Sequence, residues 1–401
     1  MNAAGIDVSS RKSTVAVLRP FGEVVRLPFD VSHSSEDLAG LARQLKALDG
    51  ETRVVMEHTG RYYEPVANVL HEAGLHVSAV NPLLIREYGG NSLRRVKTDK
   101  ADAVKIARYA LDNWADLRDY TPMDTIRYDL KTLNRQFQLA SKQKTATANN
   151  LIALQEQSFP GIRKCFDSPV RQDGTQKWVD FTYTFWHADC VRKHSLNAFA
   201  ERYRKWCKRH GYIFKQSNAE EVYALAKSAV TLVSSSEVTK LLVQEAANQL
   251  TGISHSVETY RAEMNRLASM LPEYPVVMEM YGVGESFGPQ LMAEIGDIRR
   301  FEHKKSLVAF AGVDPMPNQS GEKNVRSNRS SKRGSPYLRK TLFNIMGIYL
   351  RCSPADEPVY QFLDRKRVEG KPFYIYMTAG ANKFLRIYYG RVKEYLSSLP
   401  E

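Results

Sequence analysis

Only four cysteines occur in 401 residues. That is too few for a disulfide framework, and a reducing compartment is expected. No apolar run approaches the roughly 20 residues that cross a bilayer, so no membrane partner is expected. The opening "MNAAGIDVSS" carries neither a charged leader nor a cleavage pattern, and no signal peptide is expected there. These absences together predict a cytoplasmic protein. Negative charge is also in short supply: 44 Asp and Glu stand against 57 Lys and Arg, a net charge of +13. With no membrane signal, that excess points to nucleic acid as the polyanionic partner.

What is present begins with a hydrophobic share of 43%, enough for real cores, in a chain long enough for two or three domains. Over about the first 110 residues, strand-like and helix-like patterns alternate. "AAGIDVSS", "TVAVLRP" and "VVRLPFD" read as three early antiparallel strands, and "TRVVMEHT" and "HVSAVNP" as two more. Helices are predicted at "SSEDLAGLARQLKAL", opened by a Ser34–Asp37 capping pattern, at "YYEPVANVLHEAG", and over Arg95–Ala110. This is an α/β layer architecture, assigned to residues 1–118. From Leu130 onward, apolar residues step by three and four through Leu154, and again from Val243 to Leu271. That spacing predicts a coiled coil or long helical hairpin, with packed bundle helices as the plainer alternative. Such helices need a partner surface, and a homo-oligomer, dimer or tetramer, is expected through them. They occupy residues 119–271, with residues 159–226 inserted. The remaining 272–401 are predicted to be mostly helical.

The inserted segment is aromatic and basic, with Trp178, Phe181, Tyr183, Phe185, Trp186 and the run "ERYRKWCKRHGY". Aromatics interleaved with Arg and Lys can stack on bases and hold phosphates. Arg202, Arg204, Lys205, Lys208 and Arg209 are therefore candidate nucleic-acid contacts. A subdomain core with a solvated basic face is the alternative. Cys190, His194, Cys207 and His210 could present zinc ligands in pairs, although their spacing matches no standard finger. Farther on, "GVG" between apolar stretches is similar to a helix-hairpin-helix turn, where backbone N–H groups approach a phosphate. From Arg299 to Lys340, eleven Lys or Arg face Glu302, Asp314 and Glu322. That one-sided charge suggests a loop clamped on a phosphate backbone.

Asp99 and Asp102 lie three apart on a predicted helix, where like charges share a face and repel. Asp7 closes the first strand and Glu57 the fourth. Four carboxylates from separate elements cannot all stay ionised together without a cation, and Mg²⁺ takes such hard oxygens. A two-ion site of this kind serves phosphoryl transfer. Each acid also has a plain reading: Asp7 as a turn cap, Asp99 and Asp102 as partners of Lys97, Lys100 or Lys105.

The segments "GIDVSS", "MEHTG", "VNP…VKTDKADA", "GVGESFGPQLMAEIGDIRRF" and "FAGVDPMPNQSGEK…SKRGSPYLRK" resemble the IS110-family transposases. The resemblance covers nearly the whole chain except Phe159–Ala226. It implies an N-terminal RuvC-like ribonuclease H fold whose DEDD tetrad maps to Asp7, Glu57, Asp99 and Asp102. It also implies a C-terminal transposase domain with a nucleophilic serine, mapped by motif to Ser320, ahead of rivals Ser327, Ser330, Ser331 and Ser335. Lys323, Arg326, Arg329, Lys332 and Arg333 in that block would hold DNA. The resemblance further implies guidance by a noncoding bridge RNA that pairs with target and donor DNA. Two other readings are a Mg²⁺-dependent Holliday-junction-resolvase-like nuclease, which needs no serine, and a nonenzymatic RNA-binding scaffold, against which the four intact acids count.

Overall fold

The computed structural model describes residues 1–58, 60–88, 98–315, 319–320, 323–324 and 330–400. The chain divides into two compact units, Met1–Pro122 and Met123–Glu401.

The first unit is built from β1 (Asn2–Val8), β2 (Lys12–Leu18), β3 (Val24–Ser32), α1 (Ser35–Lys46), β4 (Thr52–Glu57), α2 (Tyr63–Glu72), β5 (His76–Val80), α3 (Pro82–Tyr88) and α4 (Asp99–Asp112). The strands form one sheet in the order β3-β2-β1-β4-β5. β2 runs antiparallel to both β1 and β3, while β1, β4 and β5 run parallel. Short turns join the antiparallel strands; the parallel pairs need crossovers, supplied by α1 and α2. The Ser34 hydroxyl accepts from the Asp37 backbone N–H at 3.1 Å, so the predicted cap starts α1. Strand side chains alternate between faces. Ala4, Ile6, Val54 and Met56 pack with Leu38, Leu41 and Leu45 of α1 and Val66 and Leu70 of α2. Ala3 and Val55 turn the other way, onto Ile85 of α3 and Ile106 and Ala110 of α4. Burying each such Leu or Ile contributes about 1.5–3 kcal/mol. The result is a three-layer α/β unit with the sheet in the middle.

The second unit opens with α5 (Thr125–Ser158) and continues through α6 (Lys177–Thr184), α7 (Asp189–Arg192), α8 (Leu196–Arg209), α9 (Gln216–Ser228) and α10 (Glu237–Ser269). It closes with α11 (Tyr274–Met278), α12 (Gly284–Ile295), α13 (Lys304–Ala311), the small pair β6 (Gln319–Ser320) and β7 (Lys323–Asn324), α14 (Pro336–Cys352), α15 (Pro358–Val368) and α16 (Phe373–Ser398). α5 and α10 form an antiparallel hairpin. Leu151 packs with Val243, Ala246 and Leu250, whereas Leu130 and Phe137 share a core with Val257, Met264 and Leu267. The predicted seam is therefore filled within one chain. It does not call for a second copy, because each helix already covers the other's apolar stripe. That lower core also holds Leu342 and Ile345 of α14 and Phe384 of α16, which is why the base of the hairpin and the C-terminal helices form a single unit.

The inserted helices α6 to α9 have a core of their own. Phe181, Phe185, Phe199, Tyr203 and Trp206 pack together, with Phe181 stacked on Phe185 at 4.6 Å between centroids. Tyr203 is 0% and Trp206 6% exposed, so these rings are not available to stack on bases. Their interleaving with Arg and Lys reflects an amphipathic α8, one face core and the other face charged. Among the described residues no helix is long and apolar enough to cross a membrane.

Candidate active site and nucleic-acid surface

The acidic end of the first unit follows from register. Ile6 pairs with Met56 in parallel, so Asp7 and Glu57 are the next residues along neighbouring strands. By alternation they share the face of Gly5 and Val55, the face that carries α4. Gly5 fixes how close α4 comes: a Cβ at this position would sit 2.3 Å from the Ala103 carbonyl oxygen and 2.3 Å from the Ala107 nitrogen. The helix backbone thus rests directly on β1. Farther along, Ile106 and Ala110 meet Ala3, so α4 runs back against β1 and its first turn lies toward the Asp7 end. That first turn contains Asp99 and Asp102.

Thr98 caps α4, accepting from the Ala101 N–H at 3.2 Å. Both aspartates stand where a helix N-terminus favours negative charge, about 0.3–1 kcal/mol each, which offsets part of their repulsion. Among the described residues neither aspartate pairs with Lys100 or Lys105; Lys97 lies outside those residues. The Lys12 ammonium is held above its ordinary range, first by its hydrogen bond to Asp30 and to a smaller extent by Asp99, which puts Asp99 within electrostatic reach of the start of β2. Asp7, Glu57 and Asp102 are half-buried and Asp99 is exposed. Their all-oxygen donor set suits a hard divalent cation. Among the described residues no three His, Cys, Asp or Glu side chains form a ready metal cage, so an ion would have to draw these carboxylates inward.

Ser320 ends β6 and pairs across the hairpin with Lys323 of β7. Arg326, Arg329 and Ser327 lie outside the described residues. The foot of this loop is tightly built. Pro315 bridges to Ser330, and a Cβ on Gly334 would lie 1.9 Å from the Phe310 carbonyl oxygen. That is the physical need for glycine in "SKRGSPYLRK". Lys332 and Arg333 are exposed beside this neck. Ser331 donates to Asp314 at 2.5 Å, and Ser335 caps α14 by accepting from the Leu338 N–H at 3.2 Å. These partners give two of the rival serines structural employment.

A buried polar network beneath the loop has no counterpart in the sequence reading. Glu294 of α12 is 3% exposed and accepts from Asn134 at 2.8 Å, Arg135 at 3.0 Å and Ser335 at 2.8 Å. Beside it, Gln138 donates to Gln290 at 2.7 Å and accepts from Lys340 at 2.7 Å. Removing one partner of a buried pair of this kind costs about 3–5 kcal/mol. The loop's foot is thereby tied to α5 and α12. The signal for it was available: Asn134 and Gln138 interrupt the apolar stripe of α5 between Leu130 and Phe137 and beyond.

In the inserted subdomain, Arg202, Arg204, Lys205, Lys208 and Arg209 are all exposed on α8. Cys207 is buried, and burial pushes its thiol above the ordinary range, as it does that of Cys190. His210 lies against Trp206 at 4.9 Å, and His194 stands 3.2 Å from the Arg202 guanidinium. Replacing the five basic residues with Gln is expected to lower the salt slope of nucleic-acid binding by up to about 4.5 units, at about 0.9 per phosphate contact. An unchanged slope would mark a merely solvated face.

A sheet ordered 3-2-1-4-5, with only the second strand reversed and helices on both faces, defines a ribonuclease-H-like α/β unit, here joined to a helical one. Family models match in the same order along the chain. The DEDD transposase model of IS110 elements covers residues 4–160, and the model "Transposase IS116/IS110/IS902 family" covers residues 274–361. Together they span more than half of the chain, which belongs to the IS110 family of transposases. The pilin gene-inverting protein of Moraxella bovis is 24% identical over 85% of this chain and 80% of its own length. The transposase for insertion sequence element IS1111A of Coxiella burnetii is 31% identical over 24% of this chain and 26% of its own. Among solved structures, Thermus thermophilus RuvC bound to a Holliday junction substrate is 16% identical, covering 29% of this chain and 96% of that one with a TM-score of 0.23.

Proposed function

We propose that this transposase cuts and rejoins DNA through two sites, a Mg²⁺-binding end formed by Asp7, Glu57, Asp99 and Asp102 and a nucleophilic Ser320, under the guidance of a bridge RNA. What supports the reading is the parallel register that sets Asp7 and Glu57 side by side on β1 and β4, with the first turn of α4, which holds Asp99 and Asp102, running toward that end. When bound there, Mg²⁺ supplies Lewis-acid stabilisation of charge on phosphoryl oxygens. The chain's own groups do the rest. A carboxylate takes the Ser320 proton, and the serine oxygen attacks phosphorus. The bond to the 3′ oxygen breaks and that oxygen is protonated, leaving a 5′-phosphoserine link and a free 3′-hydroxyl. Attack by a second 3′-hydroxyl reverses the step and rejoins DNA without an outside energy source. Lys323, Arg326, Arg329, Lys332 and Arg333 hold the backbone near the serine, and the α8 quintet holds RNA or DNA. Target DNA, donor DNA and the bridge RNA are the partners.

The two sites belong to different units, so activity is expected only once nucleic acid has assembled them, from one chain or from neighbouring copies. Assembly as a dimer or tetramer is part of the proposal. With the seam already filled, it would use outward residues of the hairpin such as Leu139, Leu241 and Leu242, which are exposed. Light scattering is expected to give a mass above the monomer in the nucleic-acid complex; a monomer both free and bound would remove this part. The direct test of the function is to trap a protein–DNA adduct on a cleavable site and map it by peptide mass. Cleavage that leaves no adduct would favour the resolvase-like alternative.

A further inference from the structure

The C-terminal helices carry an open groove of about 340 Å³ walled by Phe287, Phe343 and Phe373. None of its lining residues is one of the four acids or belongs to the serine motif. Phe343 and Asn344 lie four and three residues before Gly347, and Arg351 four after it, so all four border one side of α14. Gly347 keeps that face low, and Asn344 and Arg351 edge the groove. Among the described residues, neither the Asn344 amide nor the Arg351 guanidinium has a hydrogen-bond or ion-pair partner. Of the wall, Phe373 is 48% exposed, and its neighbour Tyr374 is 73% exposed. The rings touch, Phe373 to Tyr374 at 5.3 Å and Phe343 to Tyr374 at 6.4 Å between centroids.

We propose that this groove holds an unstacked nucleobase of a single strand. Flat aromatic walls accept the face of any base. A free amide offers a donor and an acceptor to a base edge, and a free guanidinium offers donors to a base edge or a phosphate. Bases inside a duplex are already stacked and cannot present a face to these walls. The Gly282–Gly284 turn opens α12, the helix that supplies Phe287. The net charge of +13 favours a polyanion over a neutral peptide or a second copy of this cationic chain. The proposal rests on the nucleic-acid part of the function above and is independent of Ser320 and the acids.

The test uses the full chain and two probes, a labelled oligothymidylate strand and a blunt DNA duplex, with fluorescence anisotropy as the readout. Phe373→Ala and Asn344→Ala alter exposed side chains, and an unchanged melting temperature confirms that each folds. Each is expected to weaken single-strand binding about tenfold, within the range of one lost base contact, with little change for the duplex. A bromodeoxyuridine-substituted strand is expected to crosslink to peptides containing Phe343 or Phe373–Tyr376. If wild type binds both probes, the variants bind equally well and no crosslink maps to the groove, the groove proposal falls alone. If wild type binds neither probe, the nucleic-acid reading falls and takes the groove with it. A loss of oligomer mass in Phe373→Ala with unchanged strand affinity would make the groove a contact between copies and overturn the proposal.

Discussion

Ser320→Ala is expected to abolish the covalent protein–DNA adduct and to lower recombination on the order of 10⁴- to 10⁶-fold, the scale seen when a nucleophilic serine is removed. The argument begins with the motif, which puts a serine ahead of Gly321 in "NQSGEK". It continues with the loop's setting. Ser320 lies on a β-hairpin whose foot is closed by Gly334 against Phe310 and tied through Ser335 to Glu294. Once nucleic acid holds the serine against its phosphate, reaction within that geometry avoids much of the entropy cost of encounter. Ser331 and Ser335 are already engaged, one with Asp314 and the other as a helix cap. Ser327→Ala is the matched control. Normal adduct formation by Ser320→Ala with none by Ser327→Ala would move the nucleophile within the loop, and normal adducts from both would move it out of the loop altogether.

Gly5→Ala is expected to be damaging, although less so than loss of the serine, and although it removes no functional group. The added methyl would meet backbone atoms of Ala103 and Ala107, which cannot rotate aside as a flexible side chain would. Overpacking of this kind costs about 1–3 kcal/mol, read as a lower melting temperature of the first unit. The consequence for activity is larger than for stability. Lifting α4 from β1 moves Asp99 and Asp102 away from Asp7 and Glu57, and a displacement of about 1 Å can cost on the order of 100-fold in rate. Asp102→Asn separates the two effects. It keeps the shape of a half-buried side chain and forfeits at most about 1 kcal/mol of helix-terminus stabilisation, yet cleavage is expected to fall to background. A Gly5→Ala chain that melts normally and cuts normally would show that the helix does not need its close seat. Full activity of Asp102→Asn would remove Asp102 from the acidic site.

The strands, most helices and the acidic positions were legible because their signals are local. Short continuous apolar runs around Ile6 and Met56 mark strands buried on both faces, and Ser34 ahead of Asp37 marks the start of α1. Polar residues at strand ends mark where Asp7 and Glu57 emerge. The aromatics of the inserted segment left two readings open for an equally local reason, and Tyr203 and Trp206 proved to be core. Tyr203 and Trp206 alternate with Arg and Lys both on a base-stacking surface and on an amphipathic core helix, and the pattern alone does not distinguish the two.

By itself, then, the sequence determined the order of strands and helices, the cationic character of the chain and the identity of its acids and serines, since each depends on residue type and spacing along the chain. Tertiary structure decided three further things. The α5 seam is satisfied by α10 of the same chain, because the two stripes are complementary when the helices run antiparallel. The first turn of α4, which carries Asp99 and Asp102, lies toward the Asp7 end of β1, because Gly5 lets the backbone of α4 lie on the sheet. Glu294, Asn134, Arg135 and Ser335 form one network around the buried Glu294 carboxylate, because residues about 40 to 200 positions apart meet only when α5, α12 and the start of α14 pack together.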